Sequence, residues 1–555
     1  MDGIHRQRWA AAVTVAVALA TSAVLIGLTT AHKTSIEHDE GITFLAAAGT
    51  QALYQAAEQP GSGYAGEWVD AAAWRELIER PRPFALGTIR HDLAHIDIHP
   101  PAYFWLLHLW SLVFGLSPAS SIALGVVIAV ATGIALFVLA MRVCGDALRA
   151  SGVVVFWALA PPVIGVSIVA RQYGLLALLG VLAALAAHTI VTQPRPGLRA
   201  GAFLALTAAL GIATHYHFAV MLAGILVWMA AASVMLRDPR PILVGGGAAG
   251  AGALLFVTMH PGFRVAFDTQ QAQAQALNAH GFLMRIERTI TSIAAYFVPR
   301  RLTEWTLGEI ESVRWRVRGL IAIGAAVAGA LLAALRRPRA AEPSGHEPAA
   351  DEAGPIVGHP RPSRRKELAM LFLGVWMTGA IVYLYLTGQS PTHAMGPRYL
   401  AAAWPFLAFL PAVLLRRLDA RAATVVVIAW ALVVFAPMHV DHLTEPRPTA
   451  TMRETVRGAE RIVVDSVRRG VLPRIVVETA PATRVFAASQ PVLLERTAEW
   501  VEVLEPGDIV ASDPMYAARV ENKEIIESLL LERYTVETLD GPAPLTWWRI
   551  TGPAE

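Results

Sequence analysis

A chain of 555 residues that is 55% hydrophobic and only 16% charged is not an ordinary soluble protein, since soluble domains carry about 25% charged residues. Its mean hydropathy of +0.47 and its small net charge of +3, spread through short loops, fit membrane orientation and exclude nucleic-acid binding. The lone cysteine, Cys144, excludes an intrachain disulfide framework and a cysteine-rich metal site.

The first apolar run, 9–30, follows a basic start containing His5, Arg6 and Arg8. It exceeds the roughly 7–15 apolar residues of a signal peptide and is expected to stay as a span. The loop that follows, 31–118, holds the acidic run Glu37-His38-Asp39-Glu40 and, further on, Asp97-Ile98-His99-Pro100-Pro101. The second group leads into the apolar, aromatic segment 102–114. Further crossing runs are expected at 120–141, 152–169, 174–191, 200–214, 218–236, 242–259, 319–335, 368–387, 400–415 and 422–437. The fold class is thus an α-helical polytopic membrane protein with about eleven transmembrane helices, each near the roughly 20 residues that cross a bilayer core.

Loop charge decides the place of segment 102–114. If it does not cross, the basic loops Arg142/Arg149, Arg195/Arg199, Arg237/Arg240, 336–366 and Arg416/Arg417/Arg421 share the side of the basic N-terminus. Counting it as a span would put them outside, against the positive-inside rule. The segment is therefore expected to be interfacial or re-entrant, a juxtamembrane helix on the outer side. That parity sends 31–101, the Arg171 turn, 215–217, 261–316, 388–398 and the C-terminal region outward. The N-terminus and the linker 338–366, rich in Pro, Ala, Gly and Glu over 338–362, stay cytoplasmic.

Within 261–316, Leu283, Ile286, Ile290, Ile293 and Phe297 recur at three- and four-residue steps, the pattern of an amphipathic helix lying on the membrane as an anchor or a lid. The chain divides at about residue 437 into a transmembrane domain, 1–437, and a small outer α/β domain, 438–555. In the latter, Met452, Val456, Ala459, Val463 and Val467 are spaced as one helix face. Strands are expected at 474–478, 492–495, 508–511 and 546–550, and a helix at 522–533.

The chemistry lies near the outer membrane boundaries. Arg171-Gln172-Tyr173 sits at one outer turn and Met395-Gly396-Pro397-Arg398-Tyr399 opens a late span. Together with the two acidic groups, they bring ionisable residues to one face of the membrane, where such groups are functional candidates by default. His215 and His217 have a metal-ligand spacing but read better as an interfacial belt.

An acidic pair after the first span, then D-x-H-P-P leading an aromatic helix, then A-R-x-Y, then P-R-Y-L, resembles the bacterial relatives of protein O-mannosyltransferases and the aminoarabinose lipid A transferases, membrane glycosyltransferases of C-type fold. The resemblance covers about the first 440 residues. It implies a polyprenyl-phosphate sugar donor, an outer-face site in a bacterial-type plasma membrane, and an acidic residue of the first outer loop as base, matched here to Asp39. The aminoarabinose branch has Lys before Pro-Pro where this chain has His99.

Sugar transfer from a lipid phosphate needs a base for the acceptor hydroxyl and cationic donors for the departing phosphate. Glu40 and Asp97 are expected to orient the acceptor or a partner. His99, Arg171 and Arg398 are the phosphate candidates, and Tyr173 and Tyr399 would bond the phosphate or line the lipid groove. In-line attack would invert the anomeric centre. No cofactor or divalent metal is expected, because guanidinium groups meet the leaving charge. The rival classes are a secondary transporter, whose polar site would lie near the midplane, and a non-catalytic scaffold whose outer domain binds a partner.

Overall fold

The computed structural model describes residues 2–193, 198–276, 364–387, 396–444, 451–513, 520–542 and 544–554, with 285, 286 and 289. The amphipathic pattern 283–297, the run 319–335 and the linker 338–362 fall almost wholly outside the described residues.

Seven described helices are long and apolar enough to cross a membrane, and the chain is a multi-pass membrane protein. They are Asp2–Ala31, Pro118–Cys144, Tyr173–Thr192, Phe218–Leu236, Arg240–Met259, Arg364–Leu386 and Ala420–Thr444. The expected run 152–169 is instead the pair Ala147–Ala158 and Pro161–Ser167, bent by 61°. Pro161 and Pro162 supply no backbone donors there, so the helix breaks and restarts. The run 200–214 lies in a helix of only 17 residues, Leu198–Thr214. The run 400–415 is not one helix. Pro397, Pro405 and Pro411 divide it into Pro397–Leu400, Trp404–Leu407 and Leu410–Leu414, each with proline in its first turn. Apolarity alone had suggested a continuous span.

The helices meet through small residues. Ala158, Ala183, Ala184, Ala187 and Ala208 are wholly buried, as expected where lipid removes the hydrophobic drive between helices and close backbone approach must replace it. Phe156, Phe218, Trp404 and Phe406 fill the larger gaps. The segment Ala102–Phe114 forms a helix with those bounds and 13 residues. At 1.5 Å per residue it reaches about 20 Å, short of a core of about 30 Å.

Six strands form one sheet: β1 (Trp68–Asp70), β2 (Arg461–Val464), β3 (Arg484–Ala487), β4 (Ile509–Ser512), β5 (Tyr534–Leu539) and β6 (Thr546–Pro553). Their order is β1-β3-β2-β4-β6-β5, with β2 parallel to both β3 and β4 and the remaining pairs antiparallel. The expected strands 508–511 and 546–550 are β4 and the start of β6, and the expected helix 522–533 is Val520–Leu531. The expected strand 474–478 is instead the end of the helix Leu472–Val476 and the turn after it, and 492–495 lies within the helix Gln490–Glu495. Pro473 and Pro491 fix helical φ at the second residue of each. The expected helix face 452–467 stops at Thr455, and Ile462, Val463 and Val464 are buried as a strand covered on both sides.

β1 comes from the 31–118 loop, and the two regions share a core in which Phe44, Trp74 and Ile78 pack with Ile462, Leu472 and Trp547. Side chains rivet them together. Arg474 donates to the Ile36 carbonyl and Ser35 Oγ, both at 2.9 Å, and Tyr54 donates to the Val467 carbonyl at 3.1 Å. Two glycines allow the closest approach. A Cβ on Gly41 would stand 2.8 Å from the Arg469 carbonyl, and one on Gly470 would enter the His38 ring.

Glu58 lies at this junction, bonded to the Arg469 backbone N–H, with the Arg468 and Arg469 charges nearby; burial outweighs them and pushes its carboxyl from 4.5 up to about 7. A folded state that keeps a proton the unfolded chain has released loses stability as pH rises from 4.5 to 7, then levels off. In thermal melts from pH 5 to 8, Glu58→Gln should therefore gain on the parent as pH rises. Parallel melting curves would show that Glu58 does not titrate there.

Candidate functional site

The site assembles where four loops meet one end of the bundle. The helix His38–Ala48 starts just after the first span, with acidic residues Asp39 and Glu40 in its first turn, where the positive end of the helix dipole favours them. Neighbours in sequence, the two do different work. Glu40 is fully buried. Its Oε2 accepts from the Glu37 N–H at 2.7 Å and pairs with Lys33, and its Oε1 accepts from the Ala170 N–H at 2.8 Å. It thus closes the helix start and ties the 168–171 turn to it.

Asp39 instead presents its carboxylate to two arginines, with Oδ2 at 3.3 Å from Arg398 Nη1 and 4.0 Å from Arg171 Nε. His38 Nδ1 is 3.5 Å from its other oxygen. The Arg171 charge, ahead of the His38 hydrogen bond and the Arg398 charge, overcomes burial and holds the carboxyl well below the usual range.

Arg171 is buried and multiply engaged. Nη1 donates to the Asp39 carbonyl at 3.3 Å and to Thr43 Oγ1 at 3.2 Å, and Nη2 lies 2.8 Å from His99 Nε2. A guanidinium only donates, so His99 Nε2 is the acceptor and the ring proton sits on Nδ1. That proton faces Asp97 Oδ1 at 2.8 Å. Asp97 also accepts from the Ile98 N–H at 2.7 Å and from Gln51 at 3.2 Å. Burial would raise Asp97; His99, the two hydrogen bonds beside it and the Arg171 charge hold it well below the usual range. The result is a relay, Asp97–His99–Arg171–Asp39, in which His99 links Asp97 to Arg171.

Arg398 is the more open guanidinium, at 36% exposure. It stands 5.3 Å over the Tyr399 ring, and Tyr399 meets Tyr173 edge-on at 5.7 Å. All eight sequence candidates thus lie in one neighbourhood: Asp39, Asp97, His99, Arg171, Arg398, Tyr399 and Tyr173 are joined by successive contacts, and Glu40 braces the 168–171 turn beside them.

Sequence reasoning missed several members. Glu37 sits 3.6 Å from Arg398 and was legible only as part of the acidic run. Lys33, Thr43 and Gln51 gave no signal, because their roles depend on contacts far along the chain. Of the pair His215 and His217, His215 is buried against Tyr173 with ring centres 5.7 Å apart.

No protein-family model matches the chain, and no curated protein matches its sequence. Among solved structures it resembles ArnT from Cupriavidus metallidurans bound to undecaprenyl phosphate, with a TM-score of 0.51 and 13% identity over 96% of this chain and 97% of that one. It also aligns with the archaeal oligosaccharyltransferase AglB from Archaeoglobus fulgidus, in complex with an inhibitory peptide and a dolichol-phosphate. There the TM-score is 0.37 and the identity 10%, over 94% of this chain and 72% of that one. The chain has the fold of ArnT over nearly its whole length, the fold that the order of its motifs implied.

Proposed function

We propose that this protein is a glycosyltransferase that takes a sugar from a polyprenyl-phosphate carrier and places it on an acceptor hydroxyl at the outer face of the membrane. The observation that carries the reading is the Asp39 carboxylate held between Arg171 and Arg398 at one end of the bundle. A carrier site would be expected near mid-membrane. The fold shared with ArnT, solved with undecaprenyl phosphate bound, supports the same donor class.

In the proposed step Asp39 takes the acceptor O–H proton while that oxygen bonds to the anomeric carbon. The bond from that carbon to the phosphate oxygen breaks on the opposite side, and its electron pair leaves with the polyprenyl phosphate, inverting the centre. A carboxylate held so far below its usual pKa is a weak base. A phosphate entering between the same two guanidinium groups shares their charge and raises the basicity of Asp39, which couples donor arrival to activation. Arg398, the more open of the two, makes the principal phosphate contact. Arg171 holds Asp39 in place and supplies field, and Asp97 fixes the His99 tautomer that receives Arg171.

The opposite end of the bundle supports the outward assignment. There Arg142 bonds Thr189, and Arg149 bonds the Arg416 and Leu418 carbonyls, so several basic segments gather away from the site, as the positive-inside rule requires of the cytoplasmic end. The test is release of labelled sugar from a panel of polyprenyl-phosphate sugars supplied to sealed membranes. Right-side-out vesicles should release it and inverted ones should not. The reverse pattern would overturn the sidedness, and no release from either the enzyme reading.

A further inference from the structure

Behind the tyrosine pair lies a group of histidines that the proposed transfer step does not use. Tyr173 touches both Tyr399 and His215, each with ring centres 5.7 Å apart, and His215 lies against His217 at 4.4 Å. Tyr399, Tyr173, His215 and His217 thus form an unbroken row of ring contacts. His215 Nδ1 accepts from the His217 N–H at 3.1 Å, so the ring carries its proton on Nε2, which is left to donate. His217 Nδ1 is buried with no hydrogen-bond partner among the described residues.

A buried polar atom left unpaired is costly and calls for an explanation. An isoprenoid tail would leave the cost standing, whereas a hydroxyl would remove it by donating or accepting. The two rings are also uncharged at neutral pH. Burial pushes His217 down to about 4, and burial, with the Arg171 charge nearby, takes His215 well below its usual value. Neutral imidazoles offer donors, acceptors and flat faces, but no charge.

Building on the donor reading above, we propose that His215 and His217 form the sugar subsite of the donor site and recognise the hydroxyls of an uncharged sugar, while Arg398 and Arg171 meet the phosphate. Position supports the division, since the histidines stand one and two ring contacts beyond Tyr173, whose other ring contact is Tyr399 beneath Arg398.

The test measures binding of bare undecaprenyl phosphate and of undecaprenyl phosphate carrying mannose, glucose, galactose, N-acetylglucosamine or aminoarabinose to the purified full chain. The parent should bind a neutral-sugar lipid more tightly than the bare lipid. His217→Ala should weaken that sugar-lipid about tenfold and leave the bare lipid unchanged. His217→Asn, which keeps a polar group near the Nδ1 position, should recover part of the loss. Equal weakening of both lipids in His217→Ala would make the histidine a packing support, and no weakening would remove it from the site; either overturns the subsite. Tightest binding of the aminoarabinose lipid would overturn the uncharged class. If the parent binds bare and sugar-bearing lipids equally, the subsite falls and the donor reading stands. If it binds none of them, the donor reading falls first.

Discussion

Asp39→Asn should lower sugar transfer by about 10²-fold or more while donor binding and folding survive. Asparagine keeps the shape of the side chain and can still accept from Arg398, now 3.3 Å from the carboxylate, but it cannot take the acceptor's proton. Removing the negative charge also leaves both guanidinium groups freer for a phosphate, so donor affinity should hold or rise while turnover collapses. A variant harmed merely in folding would lose both together. The comparison is Glu40→Gln. Glu40 is buried, pairs with Lys33 and accepts from the Glu37 and Ala170 N–H groups, so its loss should appear first as a lower melting temperature and only secondarily as slower transfer. Single-turnover transfer at saturating donor, beside donor binding on the same preparations, separates the cases. Full transfer by Asp39→Asn with loss in Asp97→Asn would move the base to Asp97, and full transfer by all three carboxamide variants would leave no base at this site.

The arginines should separate in kind. Arg398→Ala should weaken the donor chiefly, because its guanidinium is the open one and its neighbours are Tyr399, Glu37 and Asp39. Arg171→Ala should cost both donor use and turnover, because it lies between Asp39 and His99 and also holds Thr43. Truncating one partner of a buried charge pair typically costs on the order of 2–5 kcal/mol, much of it the penalty of the charge left behind. Arg171→Ala should therefore be the more damaging of the two. Arg171→Lys and Arg398→Lys should rescue only in part, since an ammonium lacks the planar fork that reaches two acceptors at once. The measurement is kcat and KM for the polyprenyl-phosphate sugar with a melting curve for each variant. Parent-like kinetics in both alanine variants would make these arginines interfacial anchors.

Much of this protein was legible from its residues, for a specific reason. A bilayer imposes a length and an apolarity on each crossing segment separately, so local composition alone locates most spans, and loop charge alone set apart segment 102–114, which is a helix of 13 residues. The same locality marks the candidate site. Asp39, Asp97, His99, Arg171 and Arg398 are costly ionisable groups beside apolar runs, and each stands out where it is. Proline was the information given too little weight. Pro161, Pro405 and Pro411 break apolar runs that hydropathy reads as continuous, and Pro473 and Pro491 begin helices where short apolar runs suggest strands.

Tertiary structure decided the rest, because partners distant in sequence leave no local trace. Arg171 and Thr43 are 128 positions apart, and Glu40 and Ala170 are 130 apart; nothing near Glu40 says that it braces a turn while its neighbour Asp39 faces the arginines. β1, from the first loop, completes an edge of the C-terminal sheet by pairing with β3. β2 and β3 have four residues each, too few to show alternation, and burial erases the pattern that would have marked them. The sequence by itself located most of the segments long and apolar enough to cross a membrane and the residues that are chemically costly, because bilayer and solvent act on each segment alone. Only the tertiary structure decided which carboxylate faces the arginines and which is a strut, because that depends on where each carboxylate's partners come to lie.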